Sequence, residues 1–400
     1  MTVNAVKVKK DERVAPQSGA LRGRDIVCFS HDWTGDPLSK THLMRVLARD
    51  NRILWVNALP NRMPTAAAKD VSRIARKLRS FAEPVREVEK NIFVLNPLVI
   101  PAYGNDAVVS LNRKLLVRQI RRSMRRLGFE NVVNMAFNPA AGLVAGNLGE
   151  TELIYYCVDE YTAFTGVAAG LKELEEELFR KADIVIVSAE KLLESKAKFN
   201  SETHLIRHGT DWRHFRKAVD GKLELPADVA DLPQPIIGFH GLIADWVDLE
   251  LVKKIAGHFS QGSVVLVGKH TIETEGQIAE LRSVANVHIL GRKPYSELPA
   301  YCAAFDVAIN PFVINELTLA ANPLKVREYL AAGLPVVSTD IPEVRVLADV
   351  LVGETHAKFI EKIEEALAHP KPRAAVSDAI RAESWEAKVD ELRKIIEERS

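Results

Sequence analysis

The chain has few cysteines and no long hydrophobic run. Its three cysteines, Cys28, Cys157 and Cys302, lie far apart in apolar stretches. They lack the Cys-x-x-Cys spacing of a metal site, so we expect buried free thiols in a reducing compartment. No apolar run reaches the roughly 18–20 residues that span a bilayer. Residues 1–24 are polar and charged rather than apolar like a signal peptide, which predicts a cytoplasmic protein.

Motifs of several other nucleotide-binding classes are also missing. The sequence has no Gly-x-x-x-x-Gly-Lys-[Ser/Thr], which disfavours a P-loop nucleotidase. No Gly-x-Gly-x-x-Gly follows a strand, which disfavours nicotinamide binding. No Asp-x-Asp follows a strand either. Any phosphate group that the protein binds is therefore expected to be neutralised by lysine and a helix N-terminus, with no metal ion and no other cofactor.

The composition is that of a globular chain with an uneven distribution of charge. Of the 400 residues, 47% are hydrophobic and 27% are charged, which suits two or three domains with a substantial core. The net charge is only +1, yet residues 1–150 carry 25 Lys or Arg against 13 Asp or Glu. This first part is expected to favour an anionic partner, either a membrane surface or an anionic acceptor.

Short β-branched runs alternate with helical patterns in two series. Continuous apolar strands separated by helices are typical of a parallel sheet covered on both faces. The first series predicts strands at 25–29, 53–57, 92–95, 132–135, 153–157 and 184–187, and helices at 40–49, 111–127 and 171–181. The second series predicts strands at 236–239, 264–267, 287–290, 307–310 and 335–338.

These two series predict the α/β class, with two doubly wound Rossmann-like domains facing across a cleft. Ligands are expected at the carboxyl ends of the strands. The Pro-rich sequence before residue 236 suits a linker, and apolar residues from Trp385 onward recur at helical spacing. The predicted parts are a disordered tail at 1–23, a first Rossmann-like domain at 24–215, a linker at 216–235, a second Rossmann-like domain at 236–383, and a C-terminal helix at 384–400 that could pack on either domain.

The most informative segment begins at Asn322. Asn322 is a good N-cap and Pro323 suits the first helical position, and the helix should end near Gly333. A helix N-terminus suits a diphosphate, and Lys325 in the first turn would add a formal charge. Glu328 lies on the same face and could accept hydrogen bonds from ribose hydroxyls. The alternative is that Lys325 and Glu328 form an ordinary solvated helix pair.

The sequence Asn-Pro-Leu-Lys-Val-Arg-Glu-Tyr-Leu from Asn322, followed by Gly-Leu-Pro-Val-Val from Gly333, resembles the donor-binding segment of GT-B glycosyltransferases. These belong to the group 1, or family-four, class. The form here is similar to a subgroup of bacterial surface-polysaccharide transferases of the teichuronic-acid and glucuronosyltransferase types. This resemblance implies transfer of a sugar, with UDP favoured as the nucleotide, to a lipid-linked or saccharide acceptor. It also implies that the domain at 24–215 binds the acceptor and that the domain at 236–383 binds the nucleotide sugar. The first Glu of the family pattern falls at Ala320, so its usual contact with the donor sugar is missing.

Three further residues match donor-site positions of the same class. Gly241 follows a predicted strand where the family has a glycine loop near the phosphates, although a simple turn is the alternative. Lys269 could place another cation near the diphosphate, or it could be a solvated loop lysine. Arg292 lies in the strand-and-loop segment that encloses the nucleotide base in the family.

The first domain offers candidates for the acceptor site and the chemistry. His31 and Asp32 follow the first strand and could contact the acceptor or the donor sugar, with loop capping as the alternative. Asp159 follows a buried strand, and the resemblance to glucuronosyltransferases implies that it is the base that deprotonates the acceptor hydroxyl. A helix or turn cap is the alternative for Asp159. The histidine of many retaining family-four enzymes has no counterpart in residues 134–139.

The predicted helix at 111–127 combines an apolar face with seven basic residues and no acidic one. Such a helix can lie on an anionic lipid surface, which predicts a peripheral protein on the inner face of the membrane. A solvated face on a core-packed helix is the alternative. A second basic run begins at Lys69, but aromatic residues scarcely interleave with either run, so nucleic acid is disfavoured. The seven basic residues of the helix are Arg113, Lys114, Arg118, Arg121, Arg122, Arg125 and Arg126.

Three functions remain open from the sequence. The first is sugar transfer from a nucleotide diphosphate sugar to an acceptor. The second is a nucleotide-sugar epimerase of the same fold, which needs no acceptor and would gain nothing from a basic first domain. The third is a non-catalytic nucleotide-sugar-binding protein, because fold alone does not establish activity.

Overall fold

The computed structural model describes residues 20–57, 85–100, 105–163 and 170–399. They form two compact units. The first unit comprises the described parts of residues 1–187, 193–206 and 389–400, and the second comprises residues 188–192 and 207–388. The second basic run, which begins at Lys69, and most of the predicted tail lie outside the described residues.

The strands agree closely with the two predicted series. In chain order, β1 to β14 are Asp25–Phe29, Arg52–Val56, Arg86–Glu89, Ile92–Leu95, Val132–Ala136, Glu152–Cys157, Ile184–Val187, Thr203–Leu205, Ile236–His240, Ser263–Val267, Val287–Gly291, Val307–Asn310, Val336–Thr339 and Val350–Gly353.

Helices separate most of these strands. In chain order, α1 to α14 are Ser39–Leu47, Asp106–Leu127, Leu171–Lys181, Glu190–Lys196, Trp212–Phe215, Leu249–His258, Glu275–Leu281, Leu298–Ala304, Glu316–Leu319, Leu324–Ala331, Pro342–Arg345, His356–Ala368, Arg373–Ala379 and Trp385–Arg399.

The first unit has an eight-stranded sheet in the order β3-β4-β2-β1-β5-β6-β7-β8. All neighbours are parallel except β3, which runs antiparallel to β4. Strands β2, β3 and β4 lie on one side of β1, and β5 to β8 lie on its other side. Because the strand order reverses between β1 and β5, the loops after these strands form the ligand-binding position of a doubly wound sheet.

The second unit has a six-stranded parallel sheet in the order β11-β10-β9-β12-β13-β14. The reversal here lies between β9 and β12. Fully buried side chains fill both faces of the central strands, as their uninterrupted apolar sequences require. The loops that follow β9 and β12 therefore mark the ligand-binding position of this unit.

Three strands were not predicted, and all three lie at or next to a sheet edge. Strand β3 has the sequence Arg-Glu-Val-Glu, β8 has three residues, and β14 is only partly buried. An edge strand is solvated along one side, so its sequence need not be continuously apolar. Helix α2 begins five residues before its predicted start, because the Asn105 side chain accepts a hydrogen bond from the N–H of Val108 and caps the helix.

The division into units differs from the predicted domain boundary at 215/216. Residues 207–235 belong to the second unit, and the predicted linker at 216–235 contributes to its core. Val229 is completely buried there, together with Phe215 and Ala218. Most other residues of this segment are exposed, so a few buried side chains attach an otherwise solvated connection to the core. The last helix, α14, begins in the second unit, whereas residues 389–400 pack with the first.

All three cysteines are buried free thiols. Within the part of the chain that the structure describes, no helix has the length and apolar character needed to cross a membrane.

Candidate functional site

Three strand ends of the second unit are held together through glycines. The N–H of Gly241, after β9, donates to the C=O of Val267 over 2.8 Å, and the N–H of Gly268 donates to the C=O of Gly291 over 2.8 Å. A Cβ atom on Gly268 would overlap the carbonyl oxygen of Gly241. The backbones of β9, β10 and β11 therefore approach more closely at this edge than side chains would allow.

Lys325 lies across Gly241. A Cβ atom on Gly241 would overlap the Cε atom of Lys325, and Gly241 has a φ of 141°, which favours glycine. Lys325 is the second residue of α10, and no side chain of the described residues caps the start of this helix. The ammonium and the first-turn N–H groups of α10 therefore concentrate positive charge at the carboxyl end of β9, as a diphosphate site requires.

The predicted N-cap role of Asn322 is wrong. Pro323 occupies the N-cap position, and α10 begins at Leu324. The Asn322 side chain is buried and donates to the C=O of Ser188 over 2.6 Å, while its amide oxygen accepts from the guanidinium of buried Arg327. Arg327 needs this acceptor because an unpaired buried charge is costly. Asn322 therefore fixes the start of the helix through buried hydrogen bonds to Ser188 and Arg327 rather than by capping it.

Tyr329 connects α10 to the end of β9. Its hydroxyl accepts a 2.7 Å hydrogen bond from the N–H of His240 and lies 3.2 Å from the C=O of the same residue, to which it donates. The His240 ring is edge-on to Tyr329 and parallel to Phe215, with ring centroids 4.6 and 5.9 Å apart. Sequence reasoning missed His240 and Tyr329 as site residues, although each is adjacent to a predicted one, Gly241 and Glu328.

Burial dominates the electrostatics around Glu328. Glu328 is 6% exposed, and burial raises its pKa to about 7 against the opposing charge of Lys325. Burial lowers the pKa of Lys325, which Glu328 opposes. Burial also lowers the pKa of His240 to about 3, so the ring is uncharged at neutral pH. The His240 Nε2 atom lies 3.8 Å from Glu328 Oε2, and because the ring is uncharged, this contact is not an ion pair.

The other predicted donor residues lie in the loops that follow the adjacent strands. Lys269 follows β10 and Arg292 follows β11, and both are exposed. Ala320, which replaces the carboxylate of the family pattern, is buried at the end of α9. The described residues contain no group of three or more His, Cys, Asp or Glu that could hold a metal ion.

In the first unit, His31 is fixed by its own surroundings. Its ring nitrogens lie 3.1 Å from the Ser30 hydroxyl and 3.2 Å from the Thr41 hydroxyl, and the Trp55 indole N–H donates to its carbonyl. Burial, followed by the charge of Lys40, lowers the pKa of His31 to about 4. These contacts favour the loop-capping interpretation of His31. Asp32 is exposed, and its carbonyl accepts a turn hydrogen bond from Gly35.

Two consecutive carboxylates, Asp159 and Glu160, follow β6, and of the two only Glu160 accepts hydrogen bonds from side chains of the described residues. Glu160 accepts from Lys196 Nζ over 2.7 Å and from the Thr162 hydroxyl over 2.6 Å. The Asp159 carboxylate accepts no hydrogen bond from a described residue. Burial raises the pKa of Asp159 to about 6, and the charge of Lys40 opposes this rise. Asp159 thus has the chemical character of a general base near neutral pH.

Helix α2 presents a basic surface on the first unit. Six of its seven predicted basic residues are exposed, whereas Arg113 is half-buried and donates to the C=O of Leu143 over 3.2 Å. An open depression of about 710 Å³ runs along this helix, and Val117, Phe129 and Leu148 contribute apolar surface to it. The surface therefore combines cations with apolar groups, as an interface with anionic lipid requires.

Solved structures with the same architecture cover nearly the whole chain. Sucrose-phosphate synthase from Thermosynechococcus elongatus matches with a TM-score of 0.66 at 16% identity, covering 94% of this chain and 99% of its own. HepE of Anabaena, solved in complex with UDP and glucose, matches with a TM-score of 0.63 at 14% identity, covering 94% and 98%. The predicted GT-B class, with two Rossmann-like domains, is confirmed.

The sequence of the second unit matches a known family profile. Residues 234–369 match the profile of the glycosyl transferases group 1. TuaH of Bacillus subtilis (strain 168), which carries the description of a teichuronic acid biosynthesis glycosyltransferase, is 23% identical over 220 residues. That match covers 51% of this chain and 54%, about half, of TuaH. The predicted resemblance to group 1 glycosyltransferases is confirmed over residues 234–369, and the GT-B fold is confirmed for nearly the whole chain.

Replacing Gly241 by Ala should weaken UDP binding while the protein remains folded. The new methyl group would displace the Lys325 side chain from the strand end. Loss of a charged hydrogen bond costs about 1.5–3 kcal/mol, so the Kd measured by calorimetry should rise by about tenfold to a hundredfold. Gly257→Ala is the matched control, because no atom lies within 4 Å of a Cβ there. Wild-type affinity in Gly241→Ala would refute the placement of Lys325 in the site.

The affinity for UDP-glucose should depend on pH through Glu328. The pKa of Glu328 is raised to about 7, so its carboxylate is ionised above this pH and protonated below it. If the ionised form accepts the ribose hydroxyls, affinity should fall by up to about tenfold per pH unit below 7. His240 is uncharged throughout this range because its pKa is about 3. Glu328→Gln should flatten the profile measured by titration from pH 8 to 5.5, and an unchanged slope would contradict this role.

Proposed function

We propose that this protein transfers a sugar from a UDP-sugar to a hydroxyl group of a lipid-linked or saccharide acceptor in cell-surface polysaccharide synthesis. The observation that supports this most directly is the uncapped start of α10, where Lys325 lies across Gly241 at the reversal of the strand order. That arrangement suits a diphosphate, and it lies within the group 1 glycosyltransferase domain.

In this proposal, the second unit holds the donor. Lys325 and the first-turn N–H groups of α10 bind the diphosphate, and Glu328 accepts hydrogen bonds from the ribose. Lys269 and Arg292 contact the donor from the loops after β10 and β11. Asn322 acts indirectly, by fixing the start of α10 through Arg327. The UDP bound to HepE supports the choice of nucleotide.

The first unit supplies the base. The oxygen of the acceptor hydroxyl attacks the anomeric carbon, and the bond between that carbon and the diphosphate oxygen breaks, with its electron pair leaving on UDP. Asp159 takes the hydroxyl proton, because no described residue donates a hydrogen bond to its carboxylate and burial raises its pKa to about 6. Positive charge around Lys325 stabilises the departing diphosphate, so the reaction proceeds without a metal ion.

The acceptor and the location are proposed from the basic surface of α2 and the relationship to TuaH. TuaH is described as a teichuronic acid biosynthesis glycosyltransferase. Exposed arginines next to apolar side chains suit the cytoplasmic leaflet, where anionic lipids are found. We therefore infer a cytoplasmic protein, bound peripherally to the inner face of the membrane, that receives its acceptor there.

Purified protein incubated with a panel of UDP- and GDP-sugars should release UDP only when membrane extract supplies an acceptor. Asp159→Asn should lower the rate by about 10²- to 10⁴-fold, as expected for loss of a general base, while the donor Kd stays unchanged. Lys325→Met should instead raise the donor Kd by about tenfold or more. Lys358→Met, an exposed change on α12, is the matched control for the loss of a cation.

Other outcomes would contradict sugar transfer. A new nucleotide sugar formed without extract would identify an epimerase, and donor binding without turnover would identify a binding protein. EDTA should leave the transfer rate and the donor Kd unchanged. A lower rate or a higher Kd in EDTA would refute the metal-free diphosphate site.

The protein should bind vesicles rich in phosphatidylglycerol more tightly than vesicles of phosphatidylcholine. Each basic residue near an anionic surface contributes about 1 kcal/mol, so replacing four of them should weaken cosedimentation by about tenfold or more. The quadruple variant is Arg118→Gln, Arg121→Gln, Arg122→Gln and Arg125→Gln.

The control variant removes four exposed lysines of the second unit and so changes the net charge equally: Lys253→Gln, Lys254→Gln, Lys358→Gln and Lys371→Gln. It should bind vesicles as the unmodified protein does, because its charges lie outside α2. Equal weakening in both variants would refute a specific membrane surface on this helix. Binding of the unmodified protein should also weaken with added salt, since exposed charges are screened.

A further inference from the structure

Lys40 was not predicted as a site residue, yet it is anchored beside the strand end that carries Asp159. It is the second residue of α1, and its Nζ atom donates to the Tyr161 hydroxyl over 3.2 Å. That hydroxyl in turn donates to the C=O of Phe137 over 2.7 Å. The ammonium also lies 5.7 Å from the centroid of the Tyr161 ring. These contacts hold the ammonium where the loops after β5 and β6 meet.

The two carboxylates after β6, Asp159 and Glu160, interact electrostatically with different lysines. Lys196 pairs with Glu160 at 2.7 Å, and the Thr162 hydroxyl completes that contact. Lys40 is the cation whose charge acts on Asp159. Lys40 donates to the Tyr161 hydroxyl, and the N–H of Tyr161 donates to the carbonyl of Asp159 over 3.0 Å. The ammonium therefore lies beside the turn that carries Asp159 while donating to Tyr161 rather than to the Asp159 carboxylate, whose oxygens stay available to a substrate hydroxyl.

The other titratable groups around Lys40 are uncharged near neutral pH. Cys28 of β1 and Cys157 of β6 are buried, and burial raises the pKa of both thiols. Burial likewise raises the pKa of Tyr161, and it lowers the pKa of His31 to about 4. Burial also lowers the pKa of Lys40 itself, and the charge of Asp159 opposes this effect, so the lysine and the carboxylate each favour the charged form of the other.

Glu175 of α3 is the other buried carboxylate in this part of the first unit. The Tyr155 hydroxyl donates to it over 2.5 Å, and burial raises the pKa of Glu175 to about 7. Its charge acts on Tyr155, Cys157 and Tyr161, whereas the charge that acts on Asp159 is that of Lys40. Glu175 therefore belongs with Lys196 and Glu160 rather than with Asp159.

We propose that Lys40 is a positioning residue that keeps the Asp159 carboxylate ionised, so that it can accept the proton of the acceptor hydroxyl. This role rests on the proposed function, in which Asp159 is the base. Burial alone favours the neutral acid, whereas a fixed cation nearby favours the carboxylate. The two effects oppose each other and leave the pKa of Asp159 at about 6, close to the pH range in which a general base is most effective.

The role can be measured without any assay of activity. In the full-length protein labelled with ¹³C at the aspartate carboxyl carbons, the Asp159 resonance is assigned by its loss in Asp159→Asn. Its titration midpoint should lie near 6 in the unmodified protein. Lys40→Met should raise the midpoint by about one to three pH units, the effect of losing an adjacent opposite charge. Lys40→Arg should restore it largely, and Tyr161→Phe, which keeps the charge but releases its anchor, should raise it less.

Lys196→Met is the matched control, because it removes the lysine that serves Glu160 and should leave the Asp159 midpoint unchanged. In the transfer assay, the acid limb of the kcat profile should move to higher pH in Lys40→Met, while the KM for the UDP-sugar is unchanged. Equal Asp159 midpoints in the unmodified protein and Lys40→Met would overturn the role of Lys40 even if sugar transfer occurs. A shifted midpoint in a protein that transfers no sugar would support the charge pairing and refute the proposed function instead.

Discussion

The packing of the Lys325 side chain across Gly241 is the contact on which the proposed donor site depends. It requires a strand end without a side chain, a helix that begins at Leu324, and a lysine in the first turn of that helix. The hydroxyl of Tyr329 and the buried pair of Asn322 and Arg327 fix the helix in this position from two directions. The motif is therefore a set of mutually supporting contacts, of which only some would touch a ligand.

The same physical arrangement recurs in the first unit with different residues. A half-buried lysine in the first turn of a helix lies near a carboxylate; burial raises the pKa of that carboxylate, and the charge of the lysine opposes this rise. In the second unit these residues are Lys325 and Glu328, and in the first they are Lys40 and Asp159. Burial, and after it the charge of the lysine, also lowers the pKa of a nearby histidine in each unit, His240 in the second and His31 in the first. Doubly wound sheets favour this outcome, because the ligand-binding position of each lies where loops and helix N-termini converge.

The sequence predicted the central strands nearly residue by residue, since strands buried on both faces must be continuously apolar. It missed β3, β8 and β14, which lie at or next to sheet edges where that requirement lapses. The helix near 322 was correctly placed, but its N-cap was assigned to Asn322 because Asn is a strong capping residue. Buried Arg327 competes for that side chain and prevails, because an unpaired charge in the core costs more than an uncapped helix.

The sequence by itself determined the fold class, the donor segment and the basic helix, because hydrophobic periodicity, capping chemistry and local charge are all written in consecutive residues. Only the tertiary structure decided which polar side chains are left available for chemistry. Asp159 and Glu160 are adjacent in sequence and chemically alike. Lys196, thirty-six residues beyond Glu160, forms an ion pair with Glu160, whereas the charge that acts on Asp159 is that of Lys40. Such choices depend on long-range burial and pairing, which no local pattern encodes, because the energy of a charge is set by every group that surrounds it.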